Sequence, residues 1–199
     1  MRTTTQRATD LLRKRGLVRT SELEAKGISR SQLRRLDERG VVRRVGRGIY
    51  ALPNTAITEH QSLAEAAKVV PGGVICLLSA LRFHGLTTQN PFEVWMAIGK
   101  NAWRPSRDDL RLRLVHSSGA ALTAGIERHD VRGVPIRVYS AAKTVADCFK
   151  FRNKIGIDVA VEALKDFTRK HRGGANDLAR FARICRVTRV MQPYLDAIL

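Results

Sequence analysis

The chain has 199 residues, 44% of them hydrophobic, which is enough for packed cores and too many for wholesale disorder. Its 36 Lys and Arg against 18 Asp and Glu leave a net charge of +18, and an excess of that size selects a polyanionic partner, nucleic acid first. No apolar run approaches the ~20 residues of a spanning helix, and the opening MRTTTQRATD lacks the apolar stretch of a signal peptide, so a cytoplasmic protein with no membrane partner is expected.

The basic excess is uneven. Met1 to Ile57 holds 14 Lys and Arg against 5 Asp and Glu, a net +9, so half of the surplus sits in under a third of the chain. In chain order, Thr3–Arg15 places Ala8, Leu11 and Leu12 on one helical face, and Gly16 stops it. Thr20 is placed to cap a second short helix through Lys26, closed by Gly27. The stretch ISRSQLRRLDERG, Ile28 to Gly40, predicts a third. Ser29 and Gln32 form a capping box, Ile28 and Leu33 a hydrophobic staple, and Leu33 and Leu36 face inward. Ser31, Arg34, Arg35 and Glu38 then fall opposite the leucines, with Arg30 on a flank. Val41–Val45 and Ile49–Leu52 read as two strands joined by Gly46-Arg47-Gly48, and Pro53 closes the unit.

Three helices followed by a hairpin with an arginine at its tip describe a winged helix-turn-helix, whose third helix enters the major groove. Double-stranded DNA is therefore the expected partner. Arg34 and Arg35 have the reach and fork geometry for guanine edges or phosphate. Arg43 and Arg44 suit phosphates, and Arg47 the minor groove or the backbone. Thr20, Ser21, Ser29, Arg30, Ser31 and Gln32 complete the expected DNA-binding set.

The order GLVRTSELEAKGISRSQLRRLDERGVVRRVGRGIYALP resembles the N-terminal domain of AbiEi-family antitoxins of bacterial type IV toxin–antitoxin, or abortive-infection, systems. The matching features are the Gly-Ile-Ser lead into the third helix, the Leu-x-x-Leu within it, the Gly-x-Val after it, and Arg-x-Gly-Ile-Tyr-x-Leu-Pro in the wing.

The rest of the chain predicts an α+β domain, residues 58–199, with a small sheet flanked by helices, behind a DNA-binding domain of residues 1–57. Asn54–Thr58 reads as a short linker. Thr58–Val70 reads as a helix, Val74–Leu86 as a buried helix, and Phe92–Ile98, Arg111–His116, Ile126–Val131 and Val134–Tyr139 as strands. Ser140 caps a helix to about Asn153, Asp158 one to about His171, and Asn176 opens two more. The segments LLSALRFHGLT and GVPIRVYSAAKTVADCFKFRNKIG extend the resemblance over nearly the whole chain. Ala142 and Lys143 stand where proline-like and arginine-like residues are expected. The resemblance implies an antitoxin that represses its own promoter, at inverted repeats, and counteracts a nucleotidyltransferase-like toxin.

No catalytic constellation is present. Glu127-Arg128-His129-Asp130 has no accompanying Gly-rich phosphate loop, and His60, His84, His116, His129 and His171 are scattered. Cys76, Cys148 and Cys185 lie among apolar neighbours without ligand spacing, so no metal and no cofactor is expected. Lys143 and Asp147, at i and i+4, form a helix ion pair or a packing pair. Trp95 belongs to the core. Trp103, Arg180, Arg183 and Arg186 are candidate partner contacts, against the reading of a solvated basic face. The competing reading of the whole chain is a stand-alone winged-helix regulator whose second domain senses a ligand or dimerises. A nuclease with a winged-helix targeting domain is a third.

Overall fold

The computed structural model describes residues 3–46, 48–53, 60–100, 102, 111–131 and 133–198. By contacts the chain divides into two compact units. One is Met1–Pro71 with His129–Ile136, and the other is Gly72–Pro105, Arg111–Arg128 and Arg137–Leu199. The expected boundary between Ile57 and Thr58, and the linker Asn54–Thr58, lie outside the described residues.

In the first unit the order is α1 (Thr4–Arg15), β1 (Val18–Arg19), α2 (Thr20–Glu24), α3 (Arg30–Glu38), β2 (Arg43–Gly46), β3 (Ile49–Ala51) and α4 (Gln61–Val69). The three strands form one antiparallel sheet in the order β1-β3-β2, with Val18 opposite Tyr50 and Arg43 opposite Ala51. This is a winged helix, α1-β1-α2-α3 followed by the β2–β3 wing. Thr3 caps α1 with Gln6 in a capping box, and Gly16 ends it at φ +67°. Ala8, Leu12, Leu23, Leu33 and Leu36 from the three helices, with Ile28 before α3, meet Val18 and Tyr50 of the sheet and Val42 just before β2 in one small core. The strand β1 carries no sequence signal of its own, since two residues are too few for a period. The chain forms it because β3 offers Val18 and Arg19 a partner.

From residue 74 on the order is β4 (Val74–Ile75), α5 (Leu77–Phe83), β5 (Val94–Gly99), β6 (Leu112–Ser117), α6 (Ala120–Thr123), β7 (Ile126–Val131), β8 (Val134–Tyr139), α7 (Ala141–Lys150), α8 (Arg152–Ile155), α9 (Ile157–Lys170), α10 (Ala175–Cys185) and α11 (Thr188–Ile198). The five strands β4 to β8 form a mixed sheet in the order β6-β5-β4-β8-β7. β4 runs antiparallel to β5 and parallel to β8, and β5 runs parallel to β6. The fold class is α+β, as expected.

The helix expected over Val74–Leu86 is a correction. Val74 and Ile75 form the central strand, and the helix begins only at Leu77, which takes φ +46° at the junction. Two β-branched residues after Gly72-Gly73 find ladder partners on both sides, Ala97 and Met96 on β5 and Val138 on β8. The helix after Ser140 breaks at Phe151 into α7 and α8, and α9 begins at Ile157 behind Gly156, with Asp158 in its first turn rather than capping it. α7 is the hub: Ala141 through Phe149 are all buried, packed with residues of α5, α9 and α10. Inside this core Lys143 Nζ and Asp147 Oδ2 are 2.5 Å apart, with both side chains almost wholly buried. Cys185 donates to Asp147 Oδ1 at 3.2 Å, and the ammonium sits 4.0 Å from the centre of the Tyr139 ring. Burial pushes the Asp147 carboxyl up despite the Lys143 partner, and burial near that carboxylate pushes the Cys185 thiol up to about 12. All three cysteines are buried free thiols.

Candidate nucleic-acid interface

The third helix is built as its sequence dictates. Ser29 Oγ accepts the Gln32 N–H at 3.3 Å, and Gln32 Oε1 accepts the Ser29 N–H at 2.9 Å. Ile28 and Leu33 are fully buried beneath that cap. Ser29 and Gln32 therefore spend these groups on shaping the helix, and the Ser29 and Ser31 hydroxyls lie 2.9 Å apart. Ser31, Arg34 and Arg35 are exposed on α3.

The arginines differ in what they already hold. Arg30 pairs with Glu24 at 2.8 Å and Arg34 with Glu38 at 2.8 Å, yet their side chains stay 80% and 82% exposed. Exposed pairs of this kind are worth about 0–1 kcal/mol, so either arginine is released to a phosphate or a base edge at little cost. Arg35 has no ion pair among the described residues. Arg43 and Arg44 are exposed on β2, and Asp37 Oδ1 takes the Arg44 N–H at 3.0 Å, which ties the wing to α3.

Thr20 is not the cap of α2. It is the first residue of that helix, Arg19 stands at the cap position, and Glu22 Oε2 reaches back to the Arg19 N–H at 2.7 Å. The reason is the sheet, because the Thr20 N–H donates to Gly48 O at 2.8 Å and continues the β1–β3 ladder. α2 also ends at Glu24, short of the expected Lys26. Arg47 at the wing tip lies outside the described residues.

The elements converge on a concavity of about 520 Å³. It is lined by Arg19, Thr20, Ser21, Glu24, Arg30, Arg44, Gly48 and Tyr50, which come from β1, α2, α3 and both wing strands. Sequence reasoning placed Thr20, Ser21, Arg30 and Arg44 in the site, and the fold gathers these four. Arg34, Arg35, Ser31 and Arg43 are not in its wall. Arg19 and Tyr50 were missed. The signal for Arg19 was a basic residue directly before Thr-Ser at a helix start, legible only once β1 is known to pair with the wing.

Behind this surface, Glu22 lies between Arg15, at 2.7 Å, and Lys68 of α4, at 3.2 Å, while Lys68 Nζ also donates to Leu17 O at 2.5 Å. Arg19 donates to the Lys68 carbonyl. Burial alone would raise Glu22, but the Arg19 N–H and the two cations outweigh it and hold the carboxyl below the usual carboxylate range.

Residues 6–53 match the protein family described as transcriptional regulator, AbiEi antitoxin. The match covers the winged helix. No curated protein matches the chain. This likeness to a transcriptional regulator lies in the winged helix, whose α3 and β2 carry the exposed arginines Arg30, Arg34, Arg35, Arg43 and Arg44. The family is a regulatory one, and the described residues contain no group of His, Cys, Asp and Glu arranged to hold a metal ion. Among them no helix is long and apolar enough to cross a membrane.

Of the expected partner contacts, Trp103 lies outside the described residues. Arg180 on α10 pairs with Asp177 at 3.0 Å and covers the Phe181 ring. Arg183 is exposed beside it, and Arg186 ends α10 in the left-handed conformation at φ +59°. Trp95 is buried on β5, and His84 ends α5 with Nε2 2.7 Å from Tyr139 O. Trp95 thus belongs to the core, as expected.

Proposed function

We propose that this protein is an antitoxin that represses its own operon and counteracts a nucleotidyltransferase-like toxin. Residues 1–57 read the promoter, and residues 58–199 act against the toxin. The observation that carries the reading is the basic concavity between α3 and the wing in a domain that matches AbiEi regulators. Three arginines from three different elements, Arg19, Arg30 and Arg44, border a groove open to a phosphate backbone. Beside it α3 carries Ser31, Arg34 and Arg35 at a helix face free for base edges. In the second unit, the exposed arginines Arg180, Arg183 and Arg186 offer a surface for an acidic partner.

The test has two arms. Fluorescence anisotropy with the protein's own upstream DNA should show saturable binding that weakens ~10-fold or more over a few-fold rise in salt, with random DNA bound more weakly. In cells, co-expression should relieve growth arrest by a neighbouring nucleotidyltransferase-like protein. Promoter binding without any rescue would favour the stand-alone regulator. Absence of salt-sensitive promoter binding would overturn the DNA-reading assignment itself.

A further inference from the structure

The second unit contains an apolar groove and a polar cleft that share a wall. The groove, about 220 Å³, lies between α9, α10 and α11 over Leu178, Ala182, Met191 and Leu195. The cleft is bordered by His84, Glu127, Ser140 and Asp177, and both cavities use Phe167, His171 and Arg172. Phe167 and His171 stack with ring centres 4.9 Å apart and planes at 19°, a plate with the dry side on one flank and the wet side on the other. The chain leaves room for that plate: a Cβ on Gly174 would stand 2.6 Å from the Phe167 ring.

The charges at the junction favour one sign of ligand. Arg172 is exposed and has no ion pair among the described residues. The groove itself has Arg172 as its one charged lining residue among the described residues; the carboxylates Asp177, paired with Arg180 at 3.0 Å, and Glu127 border the cleft on the other flank. Ser140 caps α7, so the positive end of a 10-residue helix opens on the same cleft.

We propose that the paired cavity binds a small amphipathic carboxylate, with its apolar body in the groove and its carboxylate at Arg172. Octanoate is a probe of this class, with an apolar tail for the groove and a carboxylate for Arg172. An anion-capped apolar ligand leaves neither the guanidinium unpaired nor the Leu178–Met191 floor exposed to water.

The test uses the full chain and the fluorescent aromatic sulfonate ANS as reporter. Saturable ANS fluorescence should be displaced by octanoate ~10-fold or more better than by octylamine, the scale set by one charge-assisted hydrogen bond. Arg172→Glu should abolish that preference while retaining octanol displacement. Ala179→Trp, which fills the groove from an exposed position on α10, should abolish ANS binding with the circular dichroism spectrum unchanged. Equal competition by octanoate and octylamine, or undiminished binding in folded Ala179→Trp, would overturn the proposal. Concentration-dependent dimerisation that Ala179→Trp removes, without carboxylate binding, would assign the groove to a second copy of the chain and overturn it equally.

Discussion

At the level of single residues, the arginines of the first domain divide by what surrounds them. Arg35 projects from α3 without an ion pair among the described residues, whereas Arg19 and Arg44 sit in the wall of the concavity beside the wing. Arg35→Ala should cost about 1–3 kcal/mol on the promoter and relax base preference. Arg19→Ala and Arg44→Ala should weaken promoter and random DNA alike and flatten the salt slope by about one unit each. Anisotropy titrations at several salt concentrations separate the two patterns, and equal proportional losses in all three variants would refute the division. Glu22 gives a second prediction. A carboxyl whose folded pKa is depressed adds stability that is fully present above its ordinary value of 4.5 and is lost as pH falls through the lowered one. Glu22→Gln should therefore lower the Tm at pH 7, and its gap from the parent should close as pH falls below 4.5. A gap that widens in acid would mean that Glu22 does not act through its charge.

The informative element is α7. It stabilises the second unit through a fully buried face, yet it carries Lys143 and Asp147 inside that face, 2.5 Å apart. Two charges taken out of water cost several kcal/mol each and are repaid only while both are present. Lys143→Met alone strands the Asp147 carboxylate and should cost about 3–5 kcal/mol, whereas the double variant Lys143→Met, Asp147→Leu should recover most of that loss. Urea unfolding of the three proteins measures the coupling, and additive losses would show that the pair is not a unit. The Lys143 and Asp147 spacing was visible in the sequence; its complete burial was not, because four-residue spacing is the same on a wet and a dry helix face. The same limit explains β4. Val74 and Ile75 lie in an apolar run whose period is compatible with helix, and only the ladders from β5 and β8 make it a strand.

For the whole molecule, α4 changes how the reading half should be cut. Its Lys68 bonds to Glu22 and to Leu17 O, and its carbonyl takes a hydrogen bond from Arg19, a residue of the proposed DNA surface. A fragment of residues 1–71 should melt higher than one of residues 1–57 and bind promoter DNA more tightly, because α4 holds Arg19 in place. Calorimetry and anisotropy on the two fragments check this, and indistinguishable behaviour would show that α4 contributes nothing to the site.

What the sequence determined by itself was whatever rests on near neighbours. The capping box of Ser29 and Gln32, the staple of Ile28 and Leu33, the stop at Gly16 and the wing hairpin all act over a few residues, so the winged helix and its basic third helix were legible. The ends of β7 and β8 were legible for the same reason, with Gly133 taking its turn conformation at φ +75° and donating to Asp130 at 2.7 Å. Tertiary structure alone decided what depends on distant partners. Arg19 entered the concavity and Thr20 gave up its cap because β3, some thirty residues on, supplied the ladder. The groove and cleft around Phe167, His171 and Arg172 exist only because α5, α7, α9, α10 and α11 meet there. Local hydrogen bonds are written in adjacent letters, while cavities are made by packing between segments whose letters carry no mark of one another.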